Sequence, residues 1–266
     1  MWNFEHEPER SRLAERYSMT SDTPSECAAK LAAGSAVVGL IPVAAYNESL
    51  AVIPGCAIAS RDCVRSILLV VRHSDGLEGV RRVALDTASR TSATYTRILF
   101  DRFWKGEPVF LPHPPDLEAM LEIADAALLI GDPALFALED REARERRTGE
   151  HLLYLDLAHE WHRLTGTVWV SAFWGVRPDG LTDSGITATQ IVQDFQDSRD
   201  AGLAHIEDLA DEWVARIALP RATICTYLSH NIWYHLDEAC LSGLELFYRY
   251  GVECGALAAV PELHFL

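Results

Sequence analysis

The sequence predicts an α/β protein with a helical C-terminal segment, and three observations carry that reading. Between Thr23 and Val176, helix signals and short apolar strands alternate, the grammar of parallel α/β packing. One unit of that grammar occurs twice, as "LAAGSAVVGLIP" and as "LEIADAALLIGD". Each runs from a helix end into an A/V/L/I strand closed by a turn residue, which predicts two similar lobes. From Thr187 onward every stretch carries helical periodicity and none reads as a strand.

Taken in order, "TPSECAAKLAAG" is a helix punctuated at both ends. Thr23 is the N-cap, Pro24 the first helical residue, Glu26 the capping-box partner and Gly34 the stop. "AVVGLIPV" follows as a strand. "VRSILLVVRH" (64–73) is a longer, β-branched strand and "VRRVALD" another. After a hydroxyl-rich loop, Tyr95, Ile98, Leu99 and Arg102/Phe103 recur at helical spacing. "LLYLDL" and "TVWVSAFWGV" are strands with the helix "AHEWHRLTG" between them. The tail reads as four helices: "ATQIVQDFQDSRDAGL", "HIEDLADEWVARIAL", "ATICTYLSHNIWYHL" and "DEACLSGLELFYRYGVECGAL". The mixed-charge run "EDREARERRTGE" (139–150) reads as a solvated helix face or loop.

A chain of 266 residues has room for a large core, as one big domain or two lobes. Its formal charge of -16 argues against a general nucleic-acid or anionic-membrane surface, because both need net basic patches. A small anionic ligand needs only local positive potential. No apolar run is long enough to span a membrane. The start, "MWNFEHEPER", lacks the basic and apolar regions of a signal peptide, so the expected location is cytoplasmic. The six cysteines are scattered without a C-x-x-C pair and read as buried free thiols.

Few motifs carry chemistry. "HEWH" sets His159 and His162 three apart on a helix, but H-E-x-x-H is absent and no third ligand is evident, so they read as structural or surface histidines. His230 and His235 are five apart and share no helix face well. No G-x-S-x-G, Walker loop or G-x-G-x-x-G occurs. The exception is "VALDTASRTSATYTRILFDRFW" (83–104). It packs Thr87, Ser89, Thr91 and Ser92 around Arg90 where a strand turns into a helix. A helix N-terminus presents unpaired N–H groups and a positive dipole end. Hydroxyls and an arginine there suit a carboxylate or phosphate. One or two hydroxyls would suffice to cap the helix, and four with an arginine exceed that need.

"SRTSATYTRILF", "LLIGDPAL", "DLAHEWHRLTG" with "VWVSAFW", and "GLIPVAAY" together resemble chorismate dehydratase of the futalosine route to menaquinone. The resemblance runs from about Thr23 through "YLSHNIWYHLDEACLSGLELFYRY". It implies a periplasmic-binding-protein-like (type 2) fold: two α/β lobes joined by a hinge, with the ligand in the cleft. The lobe boundaries are expected to give 1–71 plus 175–266 and 72–174, with crossings near "VRSILLVVRH" and "WVSAFWGVRP". It implies a cofactor-independent hydro-lyase that takes chorismate to 3-[(1-carboxyvinyl)oxy]benzoate. Ser89, Arg90, Thr91 and Ser92 match the family's "SRTS". Asp132 in "IGD", and Pro42 and Tyr46 in "IPVAAY", fall on loops expected to face the substrate. No metal is expected. The family's opening strand, with a motif like S-x-L-N-x-x-P-L, has no counterpart in "MWNFEHEPER", and Asn3 stands in a different context. The chain is therefore expected to lack that strand.

Two other functions fit the same residues: a small-anion binding protein of this fold without catalysis, and dihydroxynaphthoate synthase of the same pathway. The latter family relies on a histidine and a Gly- and Thr-rich loop rather than "SRTS".

Overall fold

The computed structural model describes residues 1–72 and 76–266; the His73 end of the expected strand 64–73 lies outside the described residues. The chain divides into two compact units. The first comprises Met1–Ala59, Ser171–Glu238 and Pro261–Leu266, and the second Ser60–Val170 and Ala239–Val260. This division groups residues 60–71 and 239–260 with the second unit, where the sequence reading drew boundaries at 71/72 and 174/175.

The first unit opens with three helices, α1 (Trp2–Glu5), α2 (Glu9–Ala14) and α3 (Pro24–Ala33). Helices α1 and α2 are ordered despite their polar sequence, because Phe4 and Leu13 are buried against Ile191 and Phe195. Arg16 also pairs with the buried Asp194 at 2.8 Å. Helix α3 carries the expected capping box, in which Thr23 and Glu26 each accept the other's backbone N–H, and Gly34 ends it at φ 76°. Strands β1 (Val38–Pro42) and β2 (Ala51–Ser60) follow.

Strand β2 was not expected, since Pro54 and Gly55 interrupt its pattern. Side chains replace the ladder bonds that these residues disturb. Gln196 donates to the Pro54 carbonyl at 2.9 Å, and Arg199 donates to that of Gly55.

The second unit holds β3 (Ile67–Val71), β4 (Arg82–Asp86), α4 (Arg90–Leu99), β5 (Val109–His113), α5 (Leu117–Ile123), β6 (Ala126–Ile130), α6 (Asp132–Glu139), α7 (Arg141–Thr148), β7 (Leu153–Asp156) and α8 (Leu157–Thr165). Its sheet has the order β5-β4-β6-β3-β7. Strands β5, β4 and β6 pair in parallel and β7 points the same way; β3, between β6 and β7, runs antiparallel to both. Uniform parallel packing was the expectation, and the entering strand β3 breaks it. Strand β5 was also missed, because its Pro112 reads as a breaker; it lies at the sheet edge, where proline is tolerated. The core of this sheet is built by Leu68, Val70, Ala84, Ala127 and Leu129 under Met120 and Leu121.

Strand β8 (Trp169–Val176) returns the chain to the first unit, where it lies between β1 and β2 and pairs antiparallel with β1. Helices α9 (Pro178–Ser184), α10 (Ala188–Ala204), α11 (Ile206–Val214) and α12 (Arg221–Thr226) follow, then α13 (Glu238–Glu253), which belongs to the second unit. The stretch 222–236 is not one helix. It passes through a π-helical turn at Tyr227–Asn231, and Trp233 then exchanges backbone hydrogen bonds with Ala59 at 2.8 and 2.9 Å. Backbone pairing with β2 overrides the helical pattern there.

The charged run 139–150 is likewise not wholly solvated. Its Arg144 is 3% exposed and bonded to Glu118 and Glu150 at 2.7 and 2.9 Å. Among the described residues no helix is long and apolar enough to cross a membrane, and the six cysteines are free, with Cys56 and Cys240 buried.

Candidate functional site

The direction of the strands in the second unit decides where its helices begin. Strands β4, β5, β6 and β7 all point the same way, so α4, α5, α6 and α8 start along one edge of the sheet. That edge is where open α/β sheets offer backbone N–H groups to ligands. Two of the four starts are closed by their own N-caps. Asp116 accepts from Ala119 at 3.1 Å, and Asp156 accepts from Ala158 and His159 at 3.0 and 3.1 Å. The other two, α4 behind Ser89 and α6 behind Gly131, have no side-chain cap.

Helix α4 begins one residue after Ser89, so Arg90, Thr91 and Ser92 form its first turn. Ser89, Thr91 and Ser92 are buried and Arg90 is exposed. Among the described residues no carboxylate pairs with Arg90. The Ser92 carbonyl is taken by the Thr96 hydroxyl at 2.7 Å, and the Arg90 carbonyl by that of Thr94 at 3.1 Å.

The helix is held at its middle. Tyr95 stacks on Trp169 with centroids 3.6 Å apart, meets Trp161 edge-on at 4.8 Å and lies 4.3 Å from Phe247. Its hydroxyl accepts the Val170 N–H at 3.3 Å. Beyond Leu99 the helix widens into a π-helical turn, Phe100–Trp104. The extra residue shifts the buried position from the expected Phe103 to Trp104.

Two residues at this edge were not singled out from the sequence. Asp86 ends β4 directly before the hydroxyl loop and is buried. Its Oδ1 accepts the Ala88 N–H at 2.9 Å, its carbonyl accepts that of Ser89 at 3.0 Å, and Ile130 N–H also bonds its carboxylate. Burial outweighs these bonds and pushes its carboxyl above the usual range. The signal was present: D-T-A-S at a strand end is an Asx-turn pattern. His113, the register partner of Asp86 on β5, is the second; its carbonyl accepts the Thr87 N–H at 3.2 Å.

Ser89, Arg90, Thr91 and Ser92 are thus brought together by one helix start. Asp132 lies in the first turn of α6 on the same edge, exposed, behind Gly131 at φ 63°, and Gly131 donates to the Ser66 carbonyl at 2.8 Å. Pro42 and Tyr46 lie in the first unit. Pro42 ends β1. The Tyr46 hydroxyl is engaged with backbone: it faces the Leu50 and Glu262 carbonyls at 3.1 Å and accepts the His264 N–H at 3.0 Å.

The histidines of "HEWH" go to local partners, His159 to Asp62 at 2.7 Å and His162 to the Thr167 carbonyl at 3.3 Å. Among the described residues no group of three or more His, Cys, Asp or Glu is placed to hold a metal ion.

A family model described as menaquinone biosynthesis matches residues 2–253. The protein AF1704 of Archaeoglobus fulgidus is similar over 96% of this chain and 93% of its own, at 16% identity and a TM-score of 0.64. The periplasmic aliphatic sulphonate binding protein SsuA of Escherichia coli is similar over 92% of this chain and 84% of its own, at 15% identity and a TM-score of 0.57. A Candida albicans gene product, CA3427, with the generic periplasmic-binding-protein fold matches over 90% of this chain and 79% of its own, at 9% identity and a TM-score of 0.58. The fold is periplasmic-binding-protein-like.

Proposed function

This chain belongs to the menaquinone-biosynthesis family, and we propose that within it the chain is a chorismate dehydratase. The reaction removes a ring proton and a hydroxyl from chorismate as water, leaving 3-[(1-carboxyvinyl)oxy]benzoate. Aromatisation drives the elimination, so the protein's task is to hold a dianion in one pose more than to supply a strong catalyst.

The observation that carries this reading is the start of α4 without a side-chain cap, with Arg90 beside it pairing with no carboxylate among the described residues. The first-turn N–H groups and the Ser89, Thr91 and Ser92 hydroxyls offer donors to one substrate carboxylate, and Arg90 offers a charge-assisted bond. Asp132 is proposed to accept from the substrate's hydroxyl. Pro42 and Tyr46 are proposed to contribute by shaping their loop, Tyr46 through its bonds to Leu50 and His264. The ring proton goes to the substrate's own enolpyruvyl carboxylate, held near it by these anchors. The C–H electron pair forms the ring double bond as the C–O bond breaks, and the proton passes on to the departing hydroxyl, which leaves as water. The reading includes a cytoplasmic site of action and no cofactor.

A second reading, anion capture without chemistry, draws on the likeness to the aliphatic sulphonate binding protein. Incubation with chorismate separates the two. A dehydratase yields the aromatic product by chromatography, while a binding protein returns chorismate unchanged after saturable binding.

A further inference from the structure

Helix α1 is a single turn and cannot stand alone, so its attachments to the first unit decide whether it forms. Phe4 is buried, and the Asn3 N–H donates to the Ser198 hydroxyl of α10 at 3.1 Å. The third attachment is His6, the residue that ends the helix. Its Nδ1 lies 3.0 Å from the Trp2 carbonyl and its Nε2 2.7 Å from a Glu212 carboxylate oxygen of α11. Its ring stacks on one face of Trp2, with centroids 3.6 Å apart and planes 9° from parallel, and His205 stacks on the indole at 4.2 Å.

Both nitrogens of His6 meet oxygens that only accept. A carbonyl has no proton to give. Between Glu212 and an imidazole the proton belongs to the imidazole, the stronger base by about two pH units. A neutral ring has one N–H and would set its other nitrogen's lone pair against an oxygen. The imidazolium satisfies both, and the face of Trp2 also favours the cation. His205 differs, because its Nδ1 meets only the Ala201 carbonyl, at 2.7 Å, a bond that a neutral tautomer makes. Of the other charged groups nearby, Arg216 of α11 lies 3.9 Å from the second oxygen of Glu212, and Glu5 belongs to α1 itself. Helix α2 brings Arg10, whose backbone N–H bonds the His6 carbonyl. Helix α10 meets α1 through Ser198 and Gly202, which carry no charge. Burial alone would lower the His6 imidazole, but the bonds to Glu212 and Trp2 outweigh it and hold it above the ordinary range.

We propose that α1 is a proton-operated latch: the His6 imidazolium clamps it to α11, and loss of that proton loosens it. Because the charged form is the bound one, the clamp is complete at low pH and is lost as pH rises through the value His6 has when docked. Phe4 and Ser198 hold α1 at every pH, so release is a loosening rather than an unfolding. Met1, the N-cap of α1, lines a cavity of about 200 Å3 with Ser198, Gly202, Leu203, Ile206 and Leu209. The proton on His6 therefore sets how firmly one wall of that cavity is held. The latch lies wholly in the first unit and does not rest on the dehydratase reading.

Two measurements on the full chain from about pH 5 to pH 9 test it. Ring-nitrogen NMR, with the His6 signals assigned by their loss in His6→Gln, reads the protonation. Amide hydrogen exchange at Phe4, His6 and Arg10, divided by the intrinsic rate, reads the docking, since these N–H groups bond the Met1, Trp2 and His6 carbonyls. His6 should carry protons on both nitrogens through neutrality and titrate above the ordinary histidine range. Protection at the three amides should fall about five- to tenfold across that titration, the worth of one partly screened charge-assisted bond. Protection at Met120 in the second unit should hold steady. His6→Gln keeps a donor for Glu212 without the charge and should abolish the step. Glu212→Gln should abolish it too and return His6 to the ordinary range; it leaves α1 unaltered and decides the matter should His6→Gln fail to fold. A His6 with one bare nitrogen at neutral pH, α1 protection equal on both sides of the titration, or the same step persisting in Glu212→Gln would overturn the proposal.

Discussion

The carboxylate of Asp86 accepts the backbone N–H of Ala88 at 2.9 Å, closing the turn that delivers Ser89 to the start of α4. A buried acid therefore sits at the base of a loop proposed to bind anions. Burial raises its carboxyl. For a raised acid, the folded state binds more protons than the unfolded state between the two pKa values. Stability is then fully present below the unfolded value and is lost as pH rises through the folded one. The ionised form also repels an incoming carboxylate. Binding of chorismate is expected to tighten as pH falls below neutral, and Asp86→Asn, which keeps the acceptor for Ala88, should flatten that dependence. Calorimetry from about pH 5 to pH 8, spanning the region between a raised carboxyl and neutrality, checks both. An unchanged slope in Asp86→Asn would assign the dependence elsewhere.

Ser89→Ala with Ser92→Ala removes two proposed donors from the first turn of α4 without removing buried volume on any scale that opens a cavity. Hydrogen bonds to a charged group are worth about 1.5–3 kcal/mol each. Chorismate affinity should fall at least about tenfold, with thermal stability within about 1 kcal/mol of the parent. Equal loss of stability and affinity would mean that the hydroxyls serve the helix rather than the ligand.

Gly243 brings α13 against the segment entering β8: a Cβ built there would lie 2.2 Å from the Val168 carbonyl oxygen, a backbone atom that cannot swing aside. Gly243→Ala should destabilise the second unit by about 1–3 kcal/mol or more, the cost of overpacking. Thermal unfolding by circular dichroism measures it.

Arg144 joins α7 to Glu118 and Glu150. Its carboxylate partners are 58% and 31% exposed, so water remains to solvate them once the arginine is gone. Arg144→Ala is expected to cost about 1–2 kcal/mol, below the range for a fully buried pair. Glu150 is held below the usual carboxylate range by Arg144, so its share of the stability is present above the unfolded value and lost as pH falls through the folded one. Acid unfolding of Arg144→Ala should therefore show a shallower pH slope.

Much of this architecture was legible because it rests on local chemistry. The Thr23–Glu26 capping box, the Gly34 and Gly166 stops and the strands around Ile67, Val83, Leu128 and Val170 announce themselves through capping and β-branched runs. What escaped depends on partners distant in sequence. Strand β2 survives Pro54 and Gly55 because α10 supplies Gln196 and Arg199. Helix stops short at Asn231 because Ala59 takes Trp233, and Arg144 is buried because Glu118 meets it across 26 residues. At the site, the hydroxyls and Arg90 were visible as composition. Asp86 and His113 were not, since only strand register sets them side by side.

The central claim is that the α4 start holds chorismate for its dehydration. The most direct measurement is kcat/KM for conversion of chorismate to the aromatic product, in the parent chain and in Arg90→Ala. Arg90 is exposed and pairs with no carboxylate among the described residues, so its removal should leave the fold intact. The account predicts turnover by the parent and a loss of about tenfold or more in the variant, from one charge-assisted bond. Folded parent protein that leaves chorismate intact, or an Arg90→Ala variant that turns it over at the parent's rate, would contradict it.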